Sequence, residues 1–212
     1  MSDELARILA AAARGDFPPQ DGETRVIRQP SARDAGVMAF TAHSVVFTDE
    51  DPAWVRAELA ATDADRLAAA MNPSFLAALM ARTGRSTNTI DLVTVAGALP
   101  GGPDVRLREI EDPDHPRVAR ALKVRDGVRV WATDGGVLVL GRGVAGRWEC
   151  AVEVDVEARG RGLGVALARA ARHLVPDSLV WSQQSPGNAR SVRTFQTAGF
   201  RPVGSEALLT AN

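Results

Sequence analysis

A strand pattern passes directly into a glycine-rich loop and then into a helix over residues 152–174, VEVDVEARGRGLGVALARAARHL. Val152 and Val154 alternate with acidic residues, which is typical of a half-buried strand. Arg159 opens a loop in which glycines stand two residues apart, and a Leu/Ala-rich helical repeat follows at once. A chain that places these three elements in immediate succession favours a fold in which helices pack on a sheet.

The loop has the chemistry of an anion-binding site. The first N–H groups of a helix have no partner within the helix, and the helix dipole adds partial positive charge there. Glycines let a phosphate approach these donors, and Arg159 and Arg161 add charge-assisted contacts. The dipole alone contributes only about 0.3–2 kcal/mol, so the arginines and several amides must act together. The loop is therefore predicted to hold a diphosphate.

Two common diphosphate motifs do not fit. A dinucleotide-binding G-x-G-x-x-G loop requires glycine where the chain has Val165, and a Walker loop requires a lysine that is absent here. The residues match R-x-x-G-x-G instead, as Arg159, Gly162 and Gly164 after a strand. This pattern resembles the acyl-coenzyme A signature of the GNAT acetyltransferase superfamily.

A second motif extends the resemblance. The sequence N-x-x-S-x-x-x-F-x-x-x-G-F occurs downstream, from Asn188 through Phe195 to Phe200, and the resemblance covers roughly residues 105–209. It implies binding of acetyl-CoA, with the amides of Val154, Asp155 and Val156 at the end of the preceding strand as oxyanion donors that polarise the thioester carbonyl. The residues that it implicates in cofactor binding are Val154, Asp155, Val156, Arg159, Gly160, Arg161, Gly162, Leu163, Gly164, Val165, Asn188 and Phe195.

Acyl transfer to an amine requires a base, because an amine of pKa near 10 is almost fully protonated at pH 7. Glu149 lies ten residues before Arg159, where many members of the superfamily carry a glutamate, and it is our predicted catalytic base. The alternative interpretation is that Glu149 is a solvated residue on a strand near the sheet edge, with no catalytic role. Glu153 and Asp155 lie an even number of residues after Glu149, so their side chains point to the same face of the strand, and they are the alternative bases.

Two residues depart from the superfamily pattern. Gln183 stands where some members have a second glutamate, and Phe195 stands where many have a tyrosine acid; the chain has no tyrosine at all. Candidates for the acid are then water, Ser182, Ser191, Cys150 or a substrate group. Trp181 and Gln183 are candidate substrate contacts, with core packing as the alternative for Trp181.

The pattern of elements predicts an α/β (α+β) fold. The segment VRVWATDGGVLVLGRGVAGRWECAVEVDV is predicted to form a three-stranded antiparallel meander with turns at Gly135–Gly136 and Gly146. Together with the flanking helices, it predicts a mixed, mostly antiparallel GNAT-like sheet. ALPGGPD is the predicted boundary, with residues 1–100 as an N-terminal α/β domain and 101–212 as the acetyltransferase domain.

The N-terminal hundred residues carry no motif that we can name. DPAWVRAELAA and NPSFLAALMARTG each begin with a capping residue and proline, which indicates two helices. The segment is interpreted as a substrate cap, a degenerate partner domain or a dimerisation element. His43 and Asp49, on its most chemically varied strand, are its candidate substrate contacts.

Composition narrows the function classes. The net charge of −1 gives no basic field for nucleic acid, a single cysteine excludes an internal disulfide, and no apolar run is long enough to cross a membrane. No spacing suggests a metal site. We expect a cytoplasmic acyl-CoA-dependent N-acetyltransferase that acts directly on a small-molecule amine in a ternary complex, with homodimerisation open. The alternatives are an inactive acyl-CoA-binding or regulatory module and a protein or peptide N-acetyltransferase.

Overall fold

The computed structural model describes residues 4–111 and 114–211 and divides them into two compact units. The first unit contains residues up to Leu92 together with Val203 onward, and the second contains Val93–Pro202. The predicted division at residues 100 and 101 differs from this one at both ends. This difference follows from strand pairing. Most of the strand Asp91–Gly97 belongs to the second unit, and most of the last strand, Arg201–Ala211, belongs to the first.

The first unit packs three helices with a sheet. Its helices are α1 (Glu4–Ala12), α2 (Pro52–Ala60) and α3 (Pro73–Thr83). Its strands are β1 (Thr24–Ile27), β2 (Ala35–Phe40), β3 (His43–Phe47) and β4 (Arg85–Ser86). The order is β1-β3-β2 followed by the chain's last strand, β11 (Arg201–Ala211), with which β4 also pairs. Apart from the parallel pair β1–β3, the recorded pairs in this unit are antiparallel.

Local signals explain the helices of this unit. Asp51 accepts a hydrogen bond from the Ala53 N–H and Asn72 accepts one from the Ser74 N–H, each just before a proline at the helix start. Gly84 ends α3 in the left-handed region at φ 65°, where a side chain would be strained. The two predicted helices are therefore confirmed, together with the residues predicted to cap them.

The second unit carries the predicted meander and the glycine loop. Its strands are β5 (Asp91–Gly97), β6 (Arg108–Ile110), β7 (Asp126–Thr133), β8 (Gly136–Arg142), β9 (Trp148–Val154) and β10 (Leu179–Gln184). Its helices are α4 (Pro116–Val124), α5 (Leu163–Leu174) and α6 (Ala189–Thr197). The strand order is β5-β10-β9-β8-β7-β6.

The sheet of the second unit is mixed. Strands β6, β7, β8 and β9 pair antiparallel in sequence order, whereas β9 and β10 run parallel. Leu167 and Ala171 of α5 pack with Leu138 and Cys150 of the sheet in its main core. The predicted mixed, mostly antiparallel sheet flanked by helices is confirmed. No helix in the described part of the chain is long and apolar enough to cross a membrane.

Candidate active site

A groove opens where two parallel strands part. Within the described residues, β9 and β10 are in register only at Trp148–Val180 and Glu149–Trp181, although each strand continues beyond that point. The groove has a volume of about 470 Å³ and lies wholly in the second unit. Its lining comes from β9, the glycine loop, α5, β10 and α6: Ala151, Val152, Glu153, Val154, Arg159, Gly164, Ser182, Gln183, Asn188, Arg190, Ser191, Thr194 and Phe195.

Backbone donors of β9 face this groove. The Asp155 N–H donates to the Gly135 carbonyl at 2.9 Å, so it points toward β8. Successive N–H groups of an antiparallel strand point to opposite sides, and those of Val152 and Val154 therefore point toward β10. Because β10 has diverged there, these two N–H groups face the groove. Of the three predicted oxyanion donors, Val154 fits, whereas Asp155 is committed to the turn before β8.

The glycine loop takes the shape that its sequence predicts. Gly160 and Gly162 have φ of 78° and 83°, and a Cβ at either position would meet no atom within 4 Å. Gly162 precedes the first residue of α5, so the first amides of a 12-residue helix lie beside open space. Arg159 folds back, with its Nε donating to the Val154 carbonyl at 3.1 Å. Such a loop can take a diphosphate without displacing any side chain.

Gly164 has a different role from the other two loop glycines. A Cβ there would lie 3.3 Å from Thr194 Cγ2 and 3.6 Å from Val154 Cγ2. An added Cβ would make a tight contact with α6 and an ordinary van der Waals contact with β9. The glycine therefore favours the close packing of the elements that form the groove.

The remaining predicted cofactor residues divide between loop and core. Arg161 is exposed at the loop, and Val156 is 66% exposed beside it. Leu163 packs against the core of the second unit, and so does Val165, which also borders a neighbouring cavity rather than the groove.

Helix α6 contributes the opposite wall. Asn188 caps it by accepting a hydrogen bond from the Ser191 N–H at 3.1 Å, and both residues line the groove. Phe195 is buried, lines the groove and stacks edge-on against Phe200 at 5.0 Å. Phe195 therefore gives an apolar wall and supplies no proton.

Glu149, the predicted base, lies outside the groove lining. Its side chain is buried, with Arg125 Nε at 2.9 Å and Arg147 Nε at 2.8 Å from its two carboxylate oxygens. The Val144 N–H approaches it at 3.3 Å. Burial alone would raise the pKa of this carboxyl group, but the charges and hydrogen bonds of the two arginines lower it well below its usual value of 4.5. A carboxylate so paired does not suit the role of base.

The structure places the two alternative bases differently. Glu153 lines the groove, and of the groove residues it is the only one with a carboxylate side chain. Asp155 is exposed beyond the end of β9 and is not part of the lining. The assignment of the base to Glu149 stays a prediction, and its pairing with Arg125, 24 residues earlier in the chain, could not be seen in the local sequence.

The remaining candidates for the acid and for substrate contacts differ in whether they lie in the groove or in the core. Cys150 is buried, and burial raises the pKa of its thiol to about 12, so it is a poor proton donor. Ser182 and Gln183 line the groove. Trp181 does not: it is buried beneath the Arg147 guanidinium, which lies 5.3 Å from its ring centroid. The position of Trp181 therefore favours a role in core packing.

His43 and Asp49 belong to the first unit. The Nδ1 atom of His43 lies 2.8 Å from a carboxylate oxygen of Asp21, and Asp49 accepts a hydrogen bond from Arg28 at 3.2 Å. The predicted substrate contacts at these positions stay predictions. Among the described residues, no cluster of three or more histidine, cysteine or acidic side chains could hold a metal.

Comparison with known proteins finds likeness in structure only. No family model and no curated protein sequence matches the chain. A GCN5-related N-acetyltransferase from Kribbella flavida is similar over 99% of this chain and 95% of its own, with 17% identity and a TM-score of 0.45. A GNAT-family acetyltransferase from Colwellia psychrerythraea is similar over 83% and 81%, with 7% identity and a TM-score of 0.42.

A third similar structure carries a name from the same superfamily. It is a tandem GNAT protein of the clavulanic acid biosynthesis pathway, matched over 64% of this chain and 57% of its own at 18% identity, with a TM-score of 0.39. All three matches lie below 25% identity and below a TM-score of 0.5. They do not by themselves assign an activity to this chain.

Proposed function

We propose that the chain is an acyl-CoA-dependent N-acyltransferase that moves an acetyl or other short acyl group to an amine. The observation that carries the proposal is the groove between β9 and β10. Arg159 and Gly164 of the glycine cradle (residues 159–164) line this groove, and a single carboxylate side chain lies along its wall. The cradle accepts a diphosphate, and the groove offers N–H donors to a carbonyl oxygen. These are the chemical groups of an acyl-CoA.

Named residues would hold the two ends of acetyl-CoA. The amides after Gly160 and at the start of α5, with Arg159 and Arg161, fit the diphosphate. The N–H groups of Val152 and Val154 fit a carbonyl oxygen and stabilise the charge that develops there. Bound acetyl-CoA would supply the activated thioester.

Glu153 takes the role of base in this proposal. It accepts a proton from the ammonium group of the acceptor, directly or through one water, so that the free amine can attack the carbonyl carbon. A C–N bond forms and the C–S bond breaks, in direct transfer within a ternary complex. As the C–S bond breaks, the attacking nitrogen gives up its second proton, which passes through water or the hydroxyl of Ser182 or Ser191 to the leaving sulfur; both serines line the groove.

The acceptor is proposed to be a small-molecule amine. The groove is about 470 Å³, which is in the range of small-molecule sites, and its polar wall includes Glu153 and Gln183. A negative side chain beside the reaction centre favours a cationic acceptor.

The test of the proposal is a transfer assay on the purified full-length chain. Release of free thiol from acetyl-CoA is followed with and without members of an amine library. The proposal predicts thiol release that depends on the amine and yields the acetylated amine by mass spectrometry. The proposal would be contradicted if no amine in the library gave thiol release faster than the rate measured without protein.

Catalytic inactivity is a second candidate, favoured by Gln183 and Phe195. Neither side chain can titrate in the range where an acid or base would act, although both line the groove. A binding or regulatory module would show saturable acetyl-CoA binding and no amine-dependent thiol release. The two readouts separate this candidate from the enzyme.

A further inference from the structure

The groove between β9 and β10 has a closed end where the two strands begin to part. Both strands run from their last registered pair, Glu149–Trp181, toward the glycine loop and α6. The first residues that line the groove after this pair are Ala151 on β9 and Ser182 on β10. At the registered pair the strands are about 4.8 Å apart, which leaves no room for a ligand atom between them. The groove is therefore open at the loop and closed at Ala151 and Ser182.

The closed end is backed by packed, hydrogen-bonded side chains. Ser182 is almost fully buried, and its hydroxyl lies within hydrogen-bonding reach of the Cys150 thiol on β9. On the other side of β10, the Thr94 hydroxyl donates to the Ser182 carbonyl at 3.2 Å and accepts from the Gln184 amide at 3.2 Å. Cys150, Thr94 and Gln184 are also almost fully buried. Because a packed interior does not move aside for a ligand, Ser182 ends the groove and is not an accessible surface along it.

A carbonyl donor lies close to this closed end. The N–H of Val152 faces the groove and follows Ala151 directly in the chain. A carbonyl oxygen that accepts from this N–H is therefore about one strand residue, or 3.3 Å, from the closed end. That distance is the length of about two C–C bonds. The space beyond the carbonyl carbon is thus enough for one or two further carbons.

For the acyl-CoA site of the proposed function, on which this inference rests, we propose that Ser182 limits the acyl group to two or three carbons. With the diphosphate in the glycine cradle at the open end, the acyl group points toward the closed end. The methyl of an acetyl group or the ethyl of a propionyl group ends against Ala151 and Ser182. A fourth carbon meets the packed ladder, and it fits only if the carbonyl leaves the Val152 N–H.

The test is a calorimetric titration of the full-length protein with CoA and with acetyl-, propionyl-, butyryl- and hexanoyl-CoA. Acetyl- and propionyl-CoA should bind with similar affinity, and butyryl- and hexanoyl-CoA should bind at least ten-fold more weakly. Ser182→Gly removes about one methylene of volume, so butyryl-CoA should bind about four-fold more tightly than it does to the native protein. Ser182→Thr adds a methyl group, so propionyl-CoA should bind about four-fold more weakly. Both factors correspond to about 0.8 kcal/mol per buried methylene.

Val180→Ala is the matched control. Val180 lies two residues before Ser182 on the same face of β10 and is fully buried, but it pairs with Trp148 in the closed ladder and does not line the groove. The substitution should lower the melting temperature and leave the order of acyl-CoA affinities unchanged. Scanning calorimetry shows which variants are folded, and the native series tests the limit without any of them.

The possible outcomes separate this inference from the proposed function. If neither CoA nor acetyl-CoA binds the native protein, the acyl-CoA site and the length limit are both wrong. If both bind but hexanoyl-CoA binds as tightly as acetyl-CoA, only the length limit is wrong. The same conclusion follows if folded Ser182→Gly and Ser182→Thr proteins change the series no more than Val180→Ala does.

Discussion

Replacing each of two glutamates on β9 by glutamine should give opposite results. Glu149 is buried between Arg125 and Arg147, so Glu149→Gln leaves two positive side chains without their carboxylate. Breaking a buried pair by removing one partner costs about 3–5 kcal/mol. At roughly 4 °C per kcal/mol for a unit of this size, the melting temperature should fall by about 12–20 °C.

Glu153→Gln, in contrast, should change stability little and lower the catalytic rate strongly. Its side chain is half-buried in the wall of the groove, so the change should cost less than about 1 kcal/mol of stability. The loss of a positioned base should lower the amine-dependent rate by about 10²–10⁴-fold at neutral pH. That loss should shrink at high pH, where the amine loses its proton without help.

Scanning calorimetry and the thiol-release assay, run on both variants below their melting temperatures, check this pair of expectations. Acetyl-CoA affinity should be unchanged in Glu153→Gln, which separates a chemical defect from a binding defect. A Glu149→Gln protein that melts normally but loses activity, beside an active Glu153→Gln protein, would refute the assignment and return the base to Glu149.

Three further changes test the structure around the site. The pKa of Glu149 is lower in the folded state than its value of 4.5 in the unfolded chain. The stability that this carboxylate contributes is therefore fully present above pH 4.5 and is lost as the pH falls toward the folded-state pKa. Urea midpoints measured from pH 7 to pH 3 should fall in the native protein and fall less in Glu149→Gln. Gly143→Ala should destabilise the second unit by about 1–3 kcal/mol, since its Cβ would lie 2.2–2.4 Å from atoms of the Glu149 carboxyl group; an unchanged urea midpoint would contradict the position of that carboxylate. Asn188→Ala should cost about 0.5–2 kcal/mol through loss of the α6 cap, measured by the same method, and a neutral result would mean that the cap is not formed in solution.

The sequence predicts what short-range signals determine. The capped starts of α2 and α3, the turns of the meander and the strand–loop–helix passage at Gly160–Gly164 each depend on residues within a few positions of one another. The four-residue strand β1 was not predicted, because it pairs in parallel with β3 and no hairpin turn marks it.

Long-range pairing accounts for what the sequence does not predict. Arg125 stands 24 residues before Glu149, and nothing in the local pattern shows that its guanidinium reaches this carboxylate. In the same way, β11 pairs with β2 across more than 160 residues, and no local signal predicts this pairing. The groove itself depends on where the β9–β10 register ends, which is a property of tertiary packing.

Calorimetric titration with acetyl-CoA tests the glycine cradle most directly. The native protein should bind saturably, and Gly162→Val should abolish binding, because a side chain at this open, positive-φ position would occupy the space beside the first amides of α5. Gly101→Val is the matched control: this glycine also has positive φ (75°) with no atom near its Cβ, but it lies outside the loop that leads into α5. Native affinity in a folded Gly162→Val protein, or equal loss in Gly101→Val, would contradict the assignment of an acyl-CoA site to this groove.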